Sequence, residues 1–361
     1  MHQPRWVQAA MGAASAVVLA GLMVSGVTAN VTSASAAAPK HFTIALSLGY
    51  VSNDWQEEAK NLIWATSKVP PYNHLVTLKT YIAGQSVENQ ISQLQDEISA
   101  GVNAIVLYPL SPTALNPTIN AACQRGIKVF TYDATVTAPC AYQYHINQTA
   151  DGASMAQWLV NTLKGKGNVV MIGGVPGTSV DTERIQGAQS VFKKYPGIHV
   201  VANVVGEWNQ AVAKTKMAEV LASHSNVNGI WVENGCYGAE QGVLEAHHAP
   251  IACSGNSSNG HRLMMLPKSQ GGIGLQSDSV GVGVNEGAVA FVHAVQVLEG
   301  KKIAHTLINP VTSMSVTTAT VKLGVNVYPS KTVDPGFMDD IQNAQIPKAA
   351  DTLHAALTGN P

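Results

Sequence analysis

Residues 167–204 have the sequence GNVVMIGGVPGTSVDTERIQGAQSVFKKYPGIHVVANV, which decides the prediction of the fold. The apolar run at 169–173 predicts a buried strand, and the Gly- and Pro-rich segment after it predicts a loop. An amphipathic helix follows, and a second apolar run at 198–204 predicts another strand. Strand, helix and strand within about 35 residues are typical of the right-handed βαβ unit of a parallel sheet.

The same alternation extends on both sides of this unit. Before it, the predicted strands are 41–49, 75–83, 103–110, 127–133 and 141–147, and the predicted helices are 54–68, 86–101, 113–124 and 152–163. After it, the predicted strands are 228–234, 250–255, 271–276 and 312–321, and the predicted helices are 210–224, 237–247 and 281–298. The strands are continuous apolar runs, which indicates sheets covered by helices on both faces. We therefore predict an α/β fold with two doubly wound parallel-sheet lobes, joined by a hinge, and a ligand cleft between them.

The first 38 residues have the composition of an export signal. Arg5 precedes an apolar run at 9–27, and the small-residue tract after it offers cleavage sites at Ala36 and Ala38. This layout predicts a secretory signal peptide at 1–38 and a periplasmic or extracellular protein, with a membrane anchor as the alternative. The remaining chain, about 320 residues long, is more than one hydrophobic core usually organises. We assign 40–147 with 277–305 to an N-terminal lobe, and 148–276 with 306–361 to a C-terminal lobe.

The charge balance excludes two classes of partner. The chain has 21 Lys and Arg against 22 Asp and Glu, for a formal net charge of −1. A protein without a basic excess has no electrostatic attraction to nucleic acid or to an anionic membrane.

The four cysteines predict disulfides rather than a metal site. Cys123, Cys140, Cys236 and Cys253 form an even set in an exported chain, for which three pairings are possible. No C-x-x-C pair or Cys/His cluster has the spacing of a zinc site. We expect no metal.

Polar and aromatic residues follow the predicted strands at the edge where ligands bind in open α/β sheets. The candidate ligand-binding residues of the two lobes are Asn53, Trp55, Asp133, Arg184, Trp208, Asn234, Asn256, Ser257 and Gln276. Carboxylates and amides bind vicinal hydroxyls through paired hydrogen bonds, and indole faces cover the apolar faces of a sugar ring. Each residue also has a structural alternative: Trp55 as a core residue, Asp133 and Asn234 as turn residues, and Arg184 as a surface cation.

Motifs of catalysis are missing from the sequence. It contains no G-x-S-x-G elbow, no G-x-x-x-x-G-K-[ST] phosphate loop and no H-E-x-x-H zinc motif. The segment GVGVNEG departs from the dinucleotide fingerprint and lies at the start of a predicted helix. We therefore expect no catalytic residues, no cofactor and no enzyme activity.

Four motifs carry a family resemblance: GVNAIVLYPLSPTAL, GIKVFTYD, VPGTSVDTERIQG and KYPGIHVV. They resemble the periplasmic sugar-binding proteins of ribose-type ABC transporters, which have the type I periplasmic-binding-protein fold. The resemblance extends over residues 42–301. It implies two lobes joined by three crossing segments that close on one monosaccharide and present it to a membrane permease.

The resemblance also assigns roles to residues. It places Asn53 and Trp55 where the family hydrogen-bonds and stacks on the sugar, Asp133 at the hydroxyl-binding carboxylate, and Arg184 at the sugar-binding arginine. Trp208 matches a stacking aromatic, Asn234 an asparagine of the A-N-D loop, and Gln276 a glutamine near the last crossover.

Two departures from the family pattern remove charge. Ala134 stands where the family often has arginine, and SGNSSNG replaces G-F-D-G, so that Asn256 or Ser257 takes the place of a carboxylate. Both changes argue against a plain ribose-like specificity.

The predicted function is that of an extracytoplasmic solute-binding protein. It captures a monosaccharide or similar polyol in the cleft and delivers it, as a monomer, to an ABC transporter permease. The alternative is a periplasmic receptor that presents a sugar-like signal to a membrane sensor, and an exported enzyme is a third possibility. A cytoplasmic repressor shares the fold, but its helix-turn-helix is absent from the N-terminus.

Overall fold

The computed structural model describes residues 40–281, 283–309, 315–331, 333, 335–337 and 344–361. The predicted signal peptide at 1–38 lies outside the described residues. The first half of the described chain alternates strands with helices. The strands are β1 (Phe42–Leu48), β2 (Val76–Ile82), β3 (Ala104–Tyr108), β4 (Lys128–Tyr132) and β5 (Tyr142–His145). The helices are α1 (Asp54–Lys68), the short α2 (Tyr72–Leu75), α3 (Val87–Ser99) and α4 (Asn116–Gln124).

The second half repeats this alternation. Its strands are β6 (Gly167–Gly173), β7 (Ile198–Val205), β8 (Gly229–Val232), β9 (Ala252–Asn256) and β10 (Ser277–Val280). Its helices are α5 (Gln148–Thr162), α6 (Ser179–Phe192), α7 (Gln210–Ser223), α8 (Cys236–Glu245) and α9 (Asn259–Met265). The last elements are α10 (Glu286–Leu298), β11 (Thr306–Ile308), β12 (Ser315–Thr317) and α11 (Leu353–Thr358).

The strands form two six-stranded sheets. The first has the order β11-β5-β4-β3-β1-β2 and is parallel throughout. The second has the order β12-β10-β9-β8-β6-β7 and is parallel except for β12, which pairs with β10 in the antiparallel sense. The prediction of an α/β fold with two parallel-sheet lobes is confirmed.

Helices cover both faces of the first sheet. Successive residues of a strand point to opposite faces, so each face has its own apolar core. Ile44 and Leu46 of β1 pack with Leu62 of α1 and Phe291 of α10 on one face. Ala45, between them, packs on the other face with the residues of α3 and α4. Helices α1 and α3 begin at side-chain caps that satisfy free backbone N–H groups: Asn53 accepts from Gln56 N at 2.9 Å, and Ser86 accepts from Asn89 N at 3.1 Å.

Several predicted elements differ from the structure, most of all around residues 271–286 and in the tail. The strand predicted at 271–276 is wrong, because Gly271 and Gly274 have φ values of 85° and 70° that interrupt an extended chain. The strand begins immediately afterwards, at Ser277. The helix predicted from residue 281 begins at Glu286. The predicted tail strand is reduced to Ser315–Thr317, and residues 312–314 lie outside the described residues.

Two of the predicted lobe boundaries also need correction. Strand β10, assigned to the N-terminal lobe, pairs with β9 in the second sheet, and β11, assigned to the C-terminal lobe, pairs with β5 in the first. Helix α11 packs on α1 of the first lobe, where Asn61 Nδ2 donates to Ala356 O at 2.9 Å. The chain first passes from one sheet to the other between β5 and α5. The chain returns to the first lobe between β10 and α10, and it passes to the second lobe again between β11 and β12.

The cysteines pair in sequence order. Cys123 and Cys140 join the end of α4 to the segment before β5, and Cys236 and Cys253 join the start of α8 to β9. Each lobe therefore contains one disulfide, and the two disulfides have the same sequence separation of 17.

Candidate functional site

A cavity lies between the carboxyl ends of the strands of the two sheets. It has about 330 Å³ of free space, including its opening to solvent, and it is lined by Tyr50, Asn53, Trp55, Gln56, Tyr108, Asp133, Val180, Arg184, Trp208, Asn234 and Asn256. The first six belong to the first lobe and the others to the second. None of these residues is more than 8% exposed, so the two lobes are closed over the cavity.

The structure brings most of the predicted ligand residues together. Seven of the nine line the cavity, and Ser257 and Gln276 do not. Ser257 is fully buried beside it, and its backbone N–H donates to Val280 O at 2.7 Å. Gln276 precedes β10 at the amino end of the strand and lines a separate surface depression with Asn228 and His248. Its predicted position at the cleft is wrong, because the strand that was expected to end at Gln276 begins after it.

Arg184 is the centre of a polar network in the second lobe. Its Nε donates to Gln148 Oε1 at 2.8 Å and lies 3.3 Å from Asp151 Oδ2, and its NH1 group donates to Asn256 Oδ1 at 2.7 Å. Asn256 Nδ2 in turn donates to Asp151 Oδ2 at 3.3 Å. The guanidinium is therefore fixed by three side chains that come from two other elements.

Two glycines allow this network to form. A Cβ atom at Gly152 of α5 would lie 2.1 Å from Arg184 O, and a Cβ atom at Gly187 of α6 would lie 2.1 Å from Thr149 O. Only glycine permits such a close approach of the α5 and α6 backbones. The approach brings Gln148 and Asp151, at the start of α5, within reach of Arg184.

Gln148 connects this network to the first lobe. Its Nε2 donates to Asp133 Oδ1 at 2.6 Å while its Oε1 accepts from Arg184. Asp133 follows β4 with a φ of 57°, a left-handed conformation that aspartate tolerates better than most residues. Asp133, Gln148 and Arg184 thus form one hydrogen-bonded chain across the closed cleft.

The charges of the network depend on burial and on mutual contact. Burial raises the pKa of Asp133 above its usual value, and Arg184 opposes this shift. Burial likewise raises the pKa of Asp151 against the effect of Arg184. Burial lowers the pKa of Arg184, but Asp151 and Asp133 outweigh it and raise that pKa, so the guanidinium stays charged.

Aromatic rings form the walls of the cavity. Trp55 stacks on Tyr132 with 6.3 Å between ring centroids, and Tyr50 of the first lobe stacks on Trp208 of the second at 6.3 Å and 13°. The Trp208 Nε1–H donates to Glu233 Oε2 at 2.7 Å. Burial raises the pKa of Glu233 well above its usual range. Trp208 has a φ of 51°, an uncommon conformation for a bulky residue, and its ring lies where a Cβ atom at Gly174 would collide with it.

Sequence reasoning from strand ends did not identify four polar residues of this region: Gln56, Gln148, Asp151 and Glu233. Gln148 and Asp151 follow β5 and Glu233 follows β8, so the same strand-end signal applies to them. Gln56 lies in the first turn of α1 and carries no such signal.

The site has the chemistry of binding. It combines one guanidinium, carboxyl groups, amides and aromatic faces on side chains that are all buried. Among the described residues, no group of three or more His, Cys, Asp or Glu side chains is arranged to hold a metal ion. In the part of the chain that the structure describes, no helix is both long and apolar enough to cross a membrane.

Comparisons with known proteins relate the chain to one family. Residues 44–302 match the sequence model of the family described as "periplasmic binding protein domain". The chain is 31% identical to the xylitol-binding protein of Mycolicibacterium smegmatis over 166 residues, which are 45% of this chain and 47% of that protein. It is 28% identical to the galactofuranose-binding protein of Escherichia coli over 239 residues, 63% of this chain and 73% of that protein.

A solved structure shows the same fold. The crystal structure of an ABC transporter solute binding protein from Thermobispora bispora matches with a TM-score of 0.73 and 23% identity, and the match covers 89% of this chain and 97% of that one.

Proposed function

We propose that this chain, which belongs to the periplasmic binding protein domain family, captures a monosaccharide or a similar polyol between its two lobes and delivers it to the permease of an ABC transporter. The observation that carries the proposal is the hydrogen-bonded chain of Asp133, Gln148 and Arg184 inside a closed, aromatic-walled cavity. The lining combines charged, amide and aromatic side chains from both lobes, which suits a small hydroxylated ring.

Each part of the cavity has a role in this proposal. Asp133 and Arg184 each retain hydrogen-bonding capacity beyond the bonds of the network, because a carboxylate accepts several bonds and a guanidinium has five N–H donors. Vicinal hydroxyls donate to the carboxylate and accept from the guanidinium, and charged partners strengthen both bonds in a dry site. Trp55 and Trp208 cover the apolar faces of the ring. Asn53, Asn234 and Asn256 complete the ligand shell.

The relatives support a neutral, hydroxylated ligand. One of them is named for xylitol and another for galactofuranose, a polyol and a sugar. The chain spans about half the length of the xylitol-binding protein. These relatives do not favour the alternative of a signalling receptor.

The family implies a location outside the cytoplasm. We propose that residues 1–38 are cleaved as a signal peptide and that the mature protein works as a monomer in the periplasm or the extracellular space. We further propose that the three crossing segments act as a hinge, and that the protein releases its ligand unchanged rather than acting as an enzyme.

A thermal-shift screen of the mature protein tests this function. The panel consists of pentoses, hexoses, deoxysugars, inositols and sugar alcohols. A ligand at about 1,000 times its dissociation constant stabilises the folded state by about 4 kcal/mol, so a true ligand raises the Tm by several degrees. We expect one strong hit whose concentration does not fall on incubation. A flat panel contradicts the proposal of a sugar ligand, and consumption of the hit indicates an enzyme.

A further inference from the structure

Two polar atoms in the wall of the cavity have no hydrogen-bond partner among the described residues: the hydroxyl of Tyr50 and Oε1 of Gln56. Both residues line the cavity and are almost fully buried, Tyr50 being 2% exposed and Gln56 1% exposed. The Tyr50 hydroxyl lies near the side chains of Tyr108, Asn53 and Gln56, whose polar groups partly oppose the rise that burial causes in its pKa.

The neighbouring polar groups are already engaged. Asn53 Oδ1 accepts from Gln56 N as the cap of α1, and Asn256 Oδ1 accepts from Arg184. A buried polar atom without a partner is destabilising, and native proteins nearly always satisfy such atoms with protein, water or ligand. Tyr50 and Gln56 border the space that a ligand fills, so a ligand can satisfy both.

The ring of Tyr50 is fixed on two sides. It stacks on Trp208 across the cleft at 6.3 Å and meets the edge of Tyr108 at 5.9 Å and 88°. Gln56 lies in the first turn of α1, where the cap holds its backbone rather than its side chain. Ring packing therefore holds Tyr50 in place, and the helix cap holds the backbone of Gln56. Neither position relies on a hydrogen bond to the unsatisfied polar atom.

The chemistry of the two atoms selects one kind of ligand group. Burial raises the pKa of the Tyr50 hydroxyl, which keeps its proton and can both donate and accept. Gln56 Oε1 can only accept. A ligand hydroxyl can donate to Gln56 while accepting from Tyr50, whereas an ionised carboxylate or phosphate group has no proton to donate and leaves Gln56 Oε1 unsatisfied.

We infer that Tyr50 and Gln56 form a hydroxyl-binding subsite in the first lobe, separate from the hydroxyl pair held by Asp133 and Arg184. This inference rests on the proposed function and narrows it. The ligand is a neutral polyol with a further hydroxyl against the first lobe, and sugar acids and sugar phosphates are rejected.

Calorimetry with defined sugars tests the subsite. The probes are D-ribose, D-galactose and xylitol, together with 2-deoxy-D-ribose, 2-deoxy-D-galactose and D-fucose, which lacks the 6-hydroxyl of D-galactose. The variants are Tyr50→Phe, which keeps the stacked ring, and Gln56→Met, which keeps the length of the side chain. The controls are Tyr195→Phe and Gln186→Met on the second lobe, neither of which lines the cavity.

We expect each subsite variant to bind the sugar with an affinity about 5- to 30-fold lower than that of wild type. This is the effect of losing one or two buried hydrogen bonds. The controls should match wild type. One deoxy sugar should lack the hydroxyl that the subsite binds, and it should bind wild type weakly. Its affinity should fall little further in the variants, because removing the hydroxyl from the sugar and removing its partner from the protein abolish the same hydrogen bond.

The melting temperature of the ligand-free variants is a second readout. Removing an unsatisfied polar atom should leave the Tm unchanged or raise it. If both variants bind the sugar as wild type does, the inference is wrong while the proposed function stands. A marked fall in Tm has the same meaning, because it shows that these polar atoms have hydrogen-bond partners within the protein. If wild type binds none of the sugars, the proposed function fails and the subsite fails with it.

Discussion

Arg184 is the cation around which the second lobe arranges its polar groups. Replacing it by alanine leaves Gln148, Asp151 and Asn256 without their charged donor inside a closed cavity. We predict that Arg184→Ala weakens ligand binding by more than about 2 kcal/mol, or roughly 30-fold. Calorimetry with the strongest ligand of the screen measures this. Arg125→Ala, at an exposed residue next to α4, is the control, and an unchanged affinity in Arg184→Ala would exclude Arg184 from the site.

Glu97 shows how a single buried acid links stability to pH. It is fully buried in α3, and neither carboxyl oxygen has a hydrogen-bond partner in the described part of the chain. Burial raises its pKa from 4.5 to about 8. The folded state therefore binds this proton more tightly than the unfolded state does. Its stabilising effect is fully present below pH 4.5 and is lost as the pH rises towards 8.

We predict that the free energy of unfolding falls with rising pH across this range, with Glu97 contributing up to about 1.4 kcal/mol per pH unit. Glu97→Gln should flatten the slope, because glutamine does not titrate. Denaturant unfolding at several pH values measures it, and Glu219→Gln, at an exposed position of α7, should retain the slope. The prediction fails if Glu97→Gln has the same pH dependence as wild type.

The close approach of α5 and α6 is the helix contact on which the site depends most. We predict that Gly187→Ala destabilises the protein by about 1–3 kcal/mol, the usual cost of overpacking, because the added methyl group meets the backbone oxygen of Thr149. It should also weaken ligand binding, since α6 carries Arg184. Thermal unfolding and calorimetry measure the two effects. Gln186→Ala, exposed on the same helix, should change stability by less than about 0.5 kcal/mol, and equal behaviour of the two variants would disprove the tight contact.

Elements with strong local signals could be predicted from the sequence, and others could not. The unit β6–α6–β7 appears close to where its apolar runs and its amphipathic helix predicted it, because covered parallel strands are apolar on both faces. The segment 271–276 is similarly apolar, but the left-handed glycines within it prevent a strand, and their conformation cannot be read from residue type alone. Gln276 was misplaced for this reason.

Strand ends predicted most of the cavity because parallel strands bring their carboxyl ends to one edge of a sheet. Gln148 and Asp151 were missed since their role depends on how closely α5 approaches α6. Glu233 was missed since its role is to accept from Trp208, a contact between two strand ends. The later lobe crossings were misassigned because β10 and β11 are short strands. The sheet that each joins depends on which strand it pairs with, β9 or β5, and no local sequence pattern reveals that partner.

The two lobes of the whole molecule are joined by direct hydrogen bonds outside the cavity as well as across it. Thr135 N of the first lobe donates to Ser179 Oγ of the second at 2.8 Å, and Asn209 Nδ2 donates to Ser52 O at 3.4 Å. Ser179 does not line the cavity. A change there acts on the balance of open and closed states rather than on ligand contacts, and a less populated closed state lowers the apparent affinity in proportion.

We therefore predict that Ser179→Ala weakens ligand binding by about 5-fold, because the closed state then buries the Thr135 N–H without its partner, at a cost of about 1 kcal/mol. The factor should be the same for every ligand that closes the lobes, unlike the effect of a residue that contacts the sugar. Calorimetry with two different ligands measures it, and small-angle scattering should show a smaller radius of gyration when wild type is saturated. Ser190→Ala is the matched control, since the Ser190 hydroxyl bonds within its own helix to Gly187 O. If Ser179→Ala and Ser190→Ala bind both ligands as wild type does, this bond does not contribute to closure.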